Sequence, residues 1–539
     1  MSQAEHGRGP AQAALLLVVA LAGAATMTVE LAAVRLLAPW FGASSGVWTN
    51  VIGVVLLALA LGYMIGARLS ARPNPGQVLG LVLLLGAILV AWLPALAAPV
   101  AGFFMPAGVA LDQAAGLLSW GSLAASLSLF GPAAVMLGCV GPLAVECLAR
   151  EGDTRAGDAG GRVLAGSTLG SLVGTFATTH LFLPSLGLNV TFLAAGGVLA
   201  ALGLLLRGGL GGKFGPLLIL PTLVALGMGR FAPPAVAEGM RLLEARQSAY
   251  QALRVVESGA GTPEHLRMLQ VNESFDSFQS VWKPEPGLLG PGYYYDQFVA
   301  PVWWSQDQAD KQWDLLVLGL GAGTTVRVLE GLLPTEVKLY CTGIEIDPEV
   351  VALGIEWFGL ESKPPTRVVH GDLDARAALN LAAGPFDQVV LDTYANNMEV
   401  PPHLCTTEFF AEVKAKLAPG GWLTVNAAGF GLDDPVVAAL ASTLAHGFGS
   451  EVLLMRVPFS RNCIIHARRA EDVPKPGSQQ WVVGNEQVDR LLAAFDLPGS
   501  WSVVQPPESA PLTDNLNPME RLQLESISQG RARWVEGLR

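Results

Sequence analysis

Four short stretches in the second half of the chain carry side chains suited to holding a nucleoside. The run VLGLGAGTT sets Gly319, Gly321 and Gly323 as G-x-G-x-G. Glycines at a strand-to-helix turn let the backbone approach a ligand that a Cβ would hold off. About 20 residues further on, the usual interval for a ribose-binding acid, GIEIDPEV puts Glu345 at the end of the next apolar run. There a carboxylate can accept hydrogen bonds from both ribose hydroxyls. VVHGDLDA places Asp372 just past a third run, in position to contact an adenine, and FDQVVLDTYANN ends a fourth on Asp392. Taken singly, each acid reads as well as a helix cap or solvated side chain as it does as a ligand contact. Their shared position at the ends of successive strands points to a ligand site, because open α/β sheets bind ligands there.

The elements that must position them follow from the alternation of short apolar runs with helical stretches after Trp313. Strands are expected at Asp314–Leu318, Val337–Ile346, Thr366–His370, Gln388–Leu391 and Trp422–Val425, with two more at Val452–Val457 and Cys463–His466. Helices are expected to begin near Thr324, Pro348, Asp374, Thr407 and Asp434. This is the pattern of an α/β Rossmann-like domain, assigned here to residues 263–539. Residues 231–262, which open with Pro233 and Pro234, read as a linker and amphipathic lead-in.

The first 230 residues are different in kind. Only 14% of the 539 residues are charged and 51% are hydrophobic, well away from the quarter charged that is usual for soluble domains. Of the 33 Lys and Arg and 45 Asp and Glu, residues 1–230 hold 10 and 7. A mildly basic, apolar half therefore precedes an acidic one, and the acidic half is unsuited to nucleic acid. About seven transmembrane helices are expected: Ala11–Leu37, Val47–Ala67, Val78–Ala98, Leu117–Leu148, Val163–Leu186, Val190–Leu206 and the short Phe214–Met228. Arg8, Arg68, Arg72, Arg150, Arg155, Arg162, Arg207 and Lys213 fall in the tail and alternate loops, which puts the N-terminus in the cytoplasm. An odd count would export the acidic half, so either the short seventh segment or a further helix between Pro99 and Gly116 should restore an even one. The intramembrane charges Glu30, Arg35 and Glu146 are functional candidates whose simpler role is local pairing or snorkelling. Gly166, Gly170 and Gly174 mark a close-packing face for another helix. Five scattered cysteines without a CxxC pair argue against a disulfide framework or structural zinc. His370 and His403 are isolated, so no metal is expected.

The chain resembles the bacterial membrane proteins in which a multispan domain is fused to a spermidine synthase-like aminopropyltransferase. The resemblance is carried by ELAAVRLLAPWFGASSGVWTNVIGVVLLALALGYMIGARL and RVLAGSTLGSLVGTFATTHLFLPSLG in the first half. In the second half it is carried by ESFDSFQSV, GYYYDQFVAPVWW, VLGLGAGTTVRVL, GIEIDPEVV, GDLDARAAL, FDQVVLDTY, PPHLCTTEFF and PLTDNLNPME. It implies a multi-pass protein of the inner membrane with a cytoplasmic catalytic domain, a homodimer, and a reaction between decarboxylated S-adenosylmethionine, or S-adenosylmethionine itself, and a polyamine, releasing methylthioadenosine. It implies Asp392 as the base and one of Tyr293, Tyr294 and Tyr295, with Tyr294 favoured, as its supporting hydroxyl. Gln279 would contact the nucleoside, Glu345 the ribose and Asp372 the adenine. Two positions depart from the pattern, since Ala322 and Ala395 stand where amine-directed aspartates are expected. Asp276, Asp296, Glu273 or Asn396 are the available substitutes. These losses keep two other readings open: a methyltransferase on the same fold, and a polyamine or nucleoside transporter or sensor with a non-catalytic soluble domain.

Overall fold

The computed structural model describes residues 9–41, 45–105, 120–152, 155–207, 236, 238–248, 250–271, 278–305, 312–362, 365–370, 374–394, 400–470, 472–509 and 511–537. They fall into two compact units that divide near residue 236. Among the described residues of the first unit are six helices, Gly9–Phe41, Ser45–Ser70, Pro75–Phe104, Ser122–Gly152, Ala156–Ala177 and Leu183–Leu206. Five of them are long and apolar enough to cross a membrane. The exception is Ala156–Ala177, which carries Asp158 and Arg162 among its glycines. The expected segment Val163–Leu186 does not run as one helix. A π-helical turn, Thr178–Phe182, follows Ala177, and the next helix contains Gly187 in a left-handed conformation at φ 74°. The seventh expected segment, Phe214–Met228, lies outside the described residues.

The glycine face of Ala156–Ala177 packs on the first helix. A Cβ on Gly170 would collide with the Ala20 carbonyl, and one on Gly174 would lie 2.5 Å from the Ala24 carbonyl. At one end of this unit Arg162 donates to Gln12, Arg207 to the Gln77 carbonyl, and Arg150 to the carbonyls of Ser70, Arg72 and Pro73. Three of the basic residues picked out in the sequence, Arg150, Arg162 and Arg207, thus bond the ends of neighbouring helices.

In the second unit, β1 (Arg241–Gln247), β2 (Ala252–Ser258), β3 (Leu266–Val271) and β4 (Ser280–Trp282) form an antiparallel sheet. Two of these strands fall within the stretch read as linker and lead-in. The reading missed them because β1 exposes both faces and its side chains, RLLEARQ, do not alternate. The main sheet comprises β5 (Gln312–Leu318), β6 (Lys338–Glu345), β7 (Thr366–His370), β8 (Phe386–Leu391), β9 (Leu417–Ala428), β10 (Val452–Arg456), β11 (Asn462–Arg468) and β12 (Trp501–Val504). Its order is 12-10-11-9-8-5-6-7. Strands β5 to β9 pair in parallel, while β11, β10 and β12 extend the sheet antiparallel beyond β9. The chain winds outward from β5 to β7 and returns beside β5 as β8, so the crevice between β5 and β8 is a topological switch point. Helices Pro348–Trp357, Ala375–Leu381 and Pro435–Phe448 each start from a capping aspartate, Asp347, Asp374 and Asp434, that accepts from the first turn.

Candidate active site

The turn after β5 is built so that no side chain intrudes on the crevice. Gly319 has φ 86°, and a Cβ there would strike the Asp392 carbonyl; Gly321 has φ 57°, and a Cβ there would lie 2.6 Å from Ser280 Oγ. Both angles favour glycine, and both positions are crowded by the groups that shape the site. Gly323, also left-handed, leads into helix Thr324–Leu332.

Glu345 ends β6 with 8% of its surface exposed. One carboxylate oxygen accepts from Gly321 N at 2.8 Å and the other from Asp347 N at 3.0 Å. The two oxygens together offer about four acceptor positions, more than the backbone donors Gly321, Asp347 and Ile346 fill. Burial pushes this carboxyl up to about 7, against the pull of the backbone N–H groups of Asp347, Gly321 and Ile346.

Asp392, directly after β8, carries the densest polar contacts. Tyr294 donates its hydroxyl to one oxygen at 3.1 Å and Asn426 its amide to the other at 2.8 Å. Desolvation raises the carboxyl to about 6, with the Asn426 and Tyr294 hydrogen bonds opposing it. Tyr294 is buried and stacks on Tyr295 at a ring separation of 4.1 Å, and Tyr295 in turn donates to the Gln279 carbonyl at 2.8 Å. Burial and the neighbouring Asp392 carboxylate hold the Tyr294 phenol well above its ordinary range, so it remains a donor. Of the three tyrosines left open by the sequence, Tyr294 is the one whose hydroxyl bonds Asp392.

The expected residues Gly319, Gly321, Gly323, Glu345, Gln279, Tyr294 and Asp392 are therefore linked by direct contacts or by the turn itself. Asp372 lies outside the described residues, as do Ala395, Asn396, Glu273 and Asp276. Asp296 is buried, and its two oxygens accept from Leu289 N and Gly290 N at 2.9 and 2.8 Å. Ala322 is 1% exposed and packs with Leu253, Val255, Val350 and Leu353. Asp514 of PLTDNLNPME docks on Arg376 and Thr406.

Sequence reasoning missed Asn426, Asn462 and Ser280. Asn426 accepts from Asn462 at 2.8 Å, and Ser460 donates to Asn462 at 2.9 Å. A chain of oriented side chains thus runs from the β10–β11 turn to Asp392. Its signal was a single asparagine near the end of the apolar run WLTVNAA, at the same sheet edge as the acids. Ser280 Oγ accepts from Ala322 N at 2.8 Å and lies on β4, from which no chemistry was expected.

No protein-family model matches the chain. A probable polyamine aminopropyl transferase of Bifidobacterium longum is 30% identical over 275 residues, 47% of this chain and 56% of that protein. The chain thus spans just over half the length of that relative. Polyamine aminopropyltransferase 2 of Hyperthermus butylicus is 30% identical over 219 residues, 39% of this chain and 68% of that protein. Among solved structures, a probable spermidine synthase from Corynebacterium glutamicum aligns with a TM-score of 0.39 at 19% identity, covering 49% of this chain and 90% of its own.

Proposed function

The chain belongs to the polyamine aminopropyltransferase family, and from that premise we propose that it is a membrane-bound enzyme moving an aminopropyl group from decarboxylated S-adenosylmethionine to a polyamine or related amine. The observation that carries the reading is Asp392, partly buried at the switch point, bonded by Tyr294 and Asn426 and set against the glycine turn.

A polyamine nitrogen arrives protonated, with a pKa near 10.4 in water. Burial lowers an ammonium pKa and raises that of a carboxyl, so the crevice brings Asp392 and the amine closer in proton affinity, as general-base transfer requires. Asp392 takes the proton. The freed lone pair forms the new N–C bond, and the C–S bond breaks with its electron pair going to sulfur, discharging the sulfonium as methylthioadenosine. Tyr294 and Asn426 fix the carboxylate so that its charge faces the amine. Glu345 holds the ribose through its open lone pairs, Asp372 the adenine, and Gln279 lines the nucleoside beside Gly321. No metal enters. The basic end of the helical unit would face the cytoplasm, and the soluble domain would work there as part of a homodimer.

A second reading has one observation in its favour. Ala322 sits in an apolar cluster, so an amine-directed carboxylate is missing from the turn. This suits intact S-adenosylmethionine, whose own carboxylate changes what the protein must supply. Calorimetric titration with methylthioadenosine, S-adenosylmethionine and its decarboxylated form separates the two. The proposal expects the decarboxylated donor to bind tighter than the intact one, and the reverse preference would sink it.

A further inference from the structure

Among the described residues, the first two helices of the helical unit recur in inverted order of contact as the fourth and fifth. Its first and fifth helices run side by side in the same direction, and so do its second and fourth; the same glycine contacts recur in both pairs. A Cβ on Gly23 would lie 2.5 Å from the Ser167 carbonyl, and one on Gly138 would lie 2.5 Å from the Leu59 carbonyl. Gly170 meets the Ala20 carbonyl as Gly62 meets that of Val135, and Gly174 lies on Ala24 as Gly66 lies on Cys139. A constant shift along each helix carries every one of these contacts onto its counterpart. The third and sixth helices pack antiparallel through Gly80 and Gly203, each glycine lying against the other's carbonyl.

The copies have opposite orientation. The first helix starts at the basic end, where Arg162 meets Gln12, and the fourth finishes there, where Arg150 reaches back to Ser70 and Arg72. In secondary transporters the inverted repeat supplies two equivalent arrangements of one unit, each open to one side of the membrane.

One copy also carries a charge that the shared packing does not require. Glu30 lies in the apolar interior of the first helix, and it has no hydrogen-bond or ion-pair partner among the described residues, whereas Arg35 further along is partnered. The shift relating the copies puts Val145, an apolar residue, at the place of Glu30. The neighbouring Glu146 is neutralised by Arg150 at 2.6 Å at the basic end. An intramembrane carboxylate left unpaired costs at least a few kcal/mol and marks a cation or proton path. Close by, Thr178 at the start of the π-helical turn donates to Thr28 at 2.8 Å, and π turns recur at functional sites. The Ser126 hydroxyl is fully buried and without a partner among the described residues.

We propose that the helical unit is a carrier for small organic ammonium ions, working by exchange between its two inverted repeats with Glu30 as the counter-charge. The choice of a polyamine as probe rests on the reading of the soluble domain, but flux is measured without turnover, so the two fail separately. The test uses the full chain in liposomes with radiolabelled putrescine and spermidine, under an imposed potential and then a pH gradient. Saturable uptake is expected. Glu30→Gln should cut it about tenfold or more, Glu146→Gln less than about twofold, and Asp392→Asn should leave it intact. A Ser126→Cys thiol should change its maleimide labelling when amine is added, and lose that response when Glu30→Gln is combined with it. Three results would overturn the proposal: no protein-dependent flux from a preparation that still binds methylthioadenosine, equal flux in Glu30→Gln, or labelling indifferent to amine.

Discussion

The two units place their functional groups by opposite means. In the α/β unit a few buried polar atoms converge at strand ends, and each carboxylate is held by named donors: Glu345 by two backbone N–H groups, Asp392 by Tyr294 and Asn426. In the helical unit the defining contacts are made by absent side chains, glycines that let backbone touch backbone. Replacing a polar atom in the first should change chemistry and spare shape, whereas adding atoms to the second should change shape before anything else.

The largest effect expected from this contrast is on Asp392→Asn, which removes the base and keeps the outline. Turnover should fall by about 10²- to 10⁴-fold while methylthioadenosine binding by calorimetry stays within about twofold; a parallel loss of binding would mean that the residue builds the pocket. Gly170→Val is the counterpart in the helical unit. With the Ala20 carbonyl already filling the Cβ position, overpacking should cost about 1–3 kcal/mol or more, read as an early melting of the helices in detergent. Unchanged melting would break the comparison.

Glu345→Gln should weaken nucleoside binding by about tenfold, the scale of one charged hydrogen bond, and should also stabilise the domain at alkaline pH. Burial raises the folded carboxyl to about 7, above the ordinary carboxylate range. The folded state therefore holds the extra proton in between, and wild-type stability falls as pH rises through that window. The variant should melt higher than wild type at pH 8, by a margin of a few kcal/mol at most, and no higher at pH 4. A constant difference at both would assign the effect to packing.

The smallest and most specific effect belongs to Asn426→Ala. Removing a donor to the carboxylate should raise the Asp392 pKa above its value of about 6. The acid limb of the turnover profile should move to higher pH, with KM for the nucleoside unchanged. A drop in turnover with no shift of the limb would make Asn426 a structural residue only.

Much of the α/β unit was legible because its polar residues punctuate apolar runs. Strand ends and capping aspartates announce themselves in sequence, so β5 to β11 and the sites of Glu345 and Asp392 could be placed from pattern. The small antiparallel sheet was not legible, since RLLEARQ on an exposed edge has neither the alternation of a half-buried strand nor the apolar run of a central one. Asn426 was missed for a related reason: its partners, Asn462 and Asp392, come together only when β9 pairs with both β8 and β11. In the helical unit the close-packing face of Gly170 and Gly174 could be read, but its partner helix could not. The inverted repeat was invisible, because lipid-facing positions accept any apolar residue and only the glycines keep the register.

The most direct test of the central claim is mass spectrometry of the reaction products of the detergent-purified full chain, incubated with decarboxylated S-adenosylmethionine and putrescine, alongside the Asp392→Asn protein. The account predicts methylthioadenosine in equal amount with an amine heavier by one aminopropyl group, both missing from the variant. No methylthioadenosine and no heavier amine from the wild type, or the same aminopropylated amine from the variant, would contradict it.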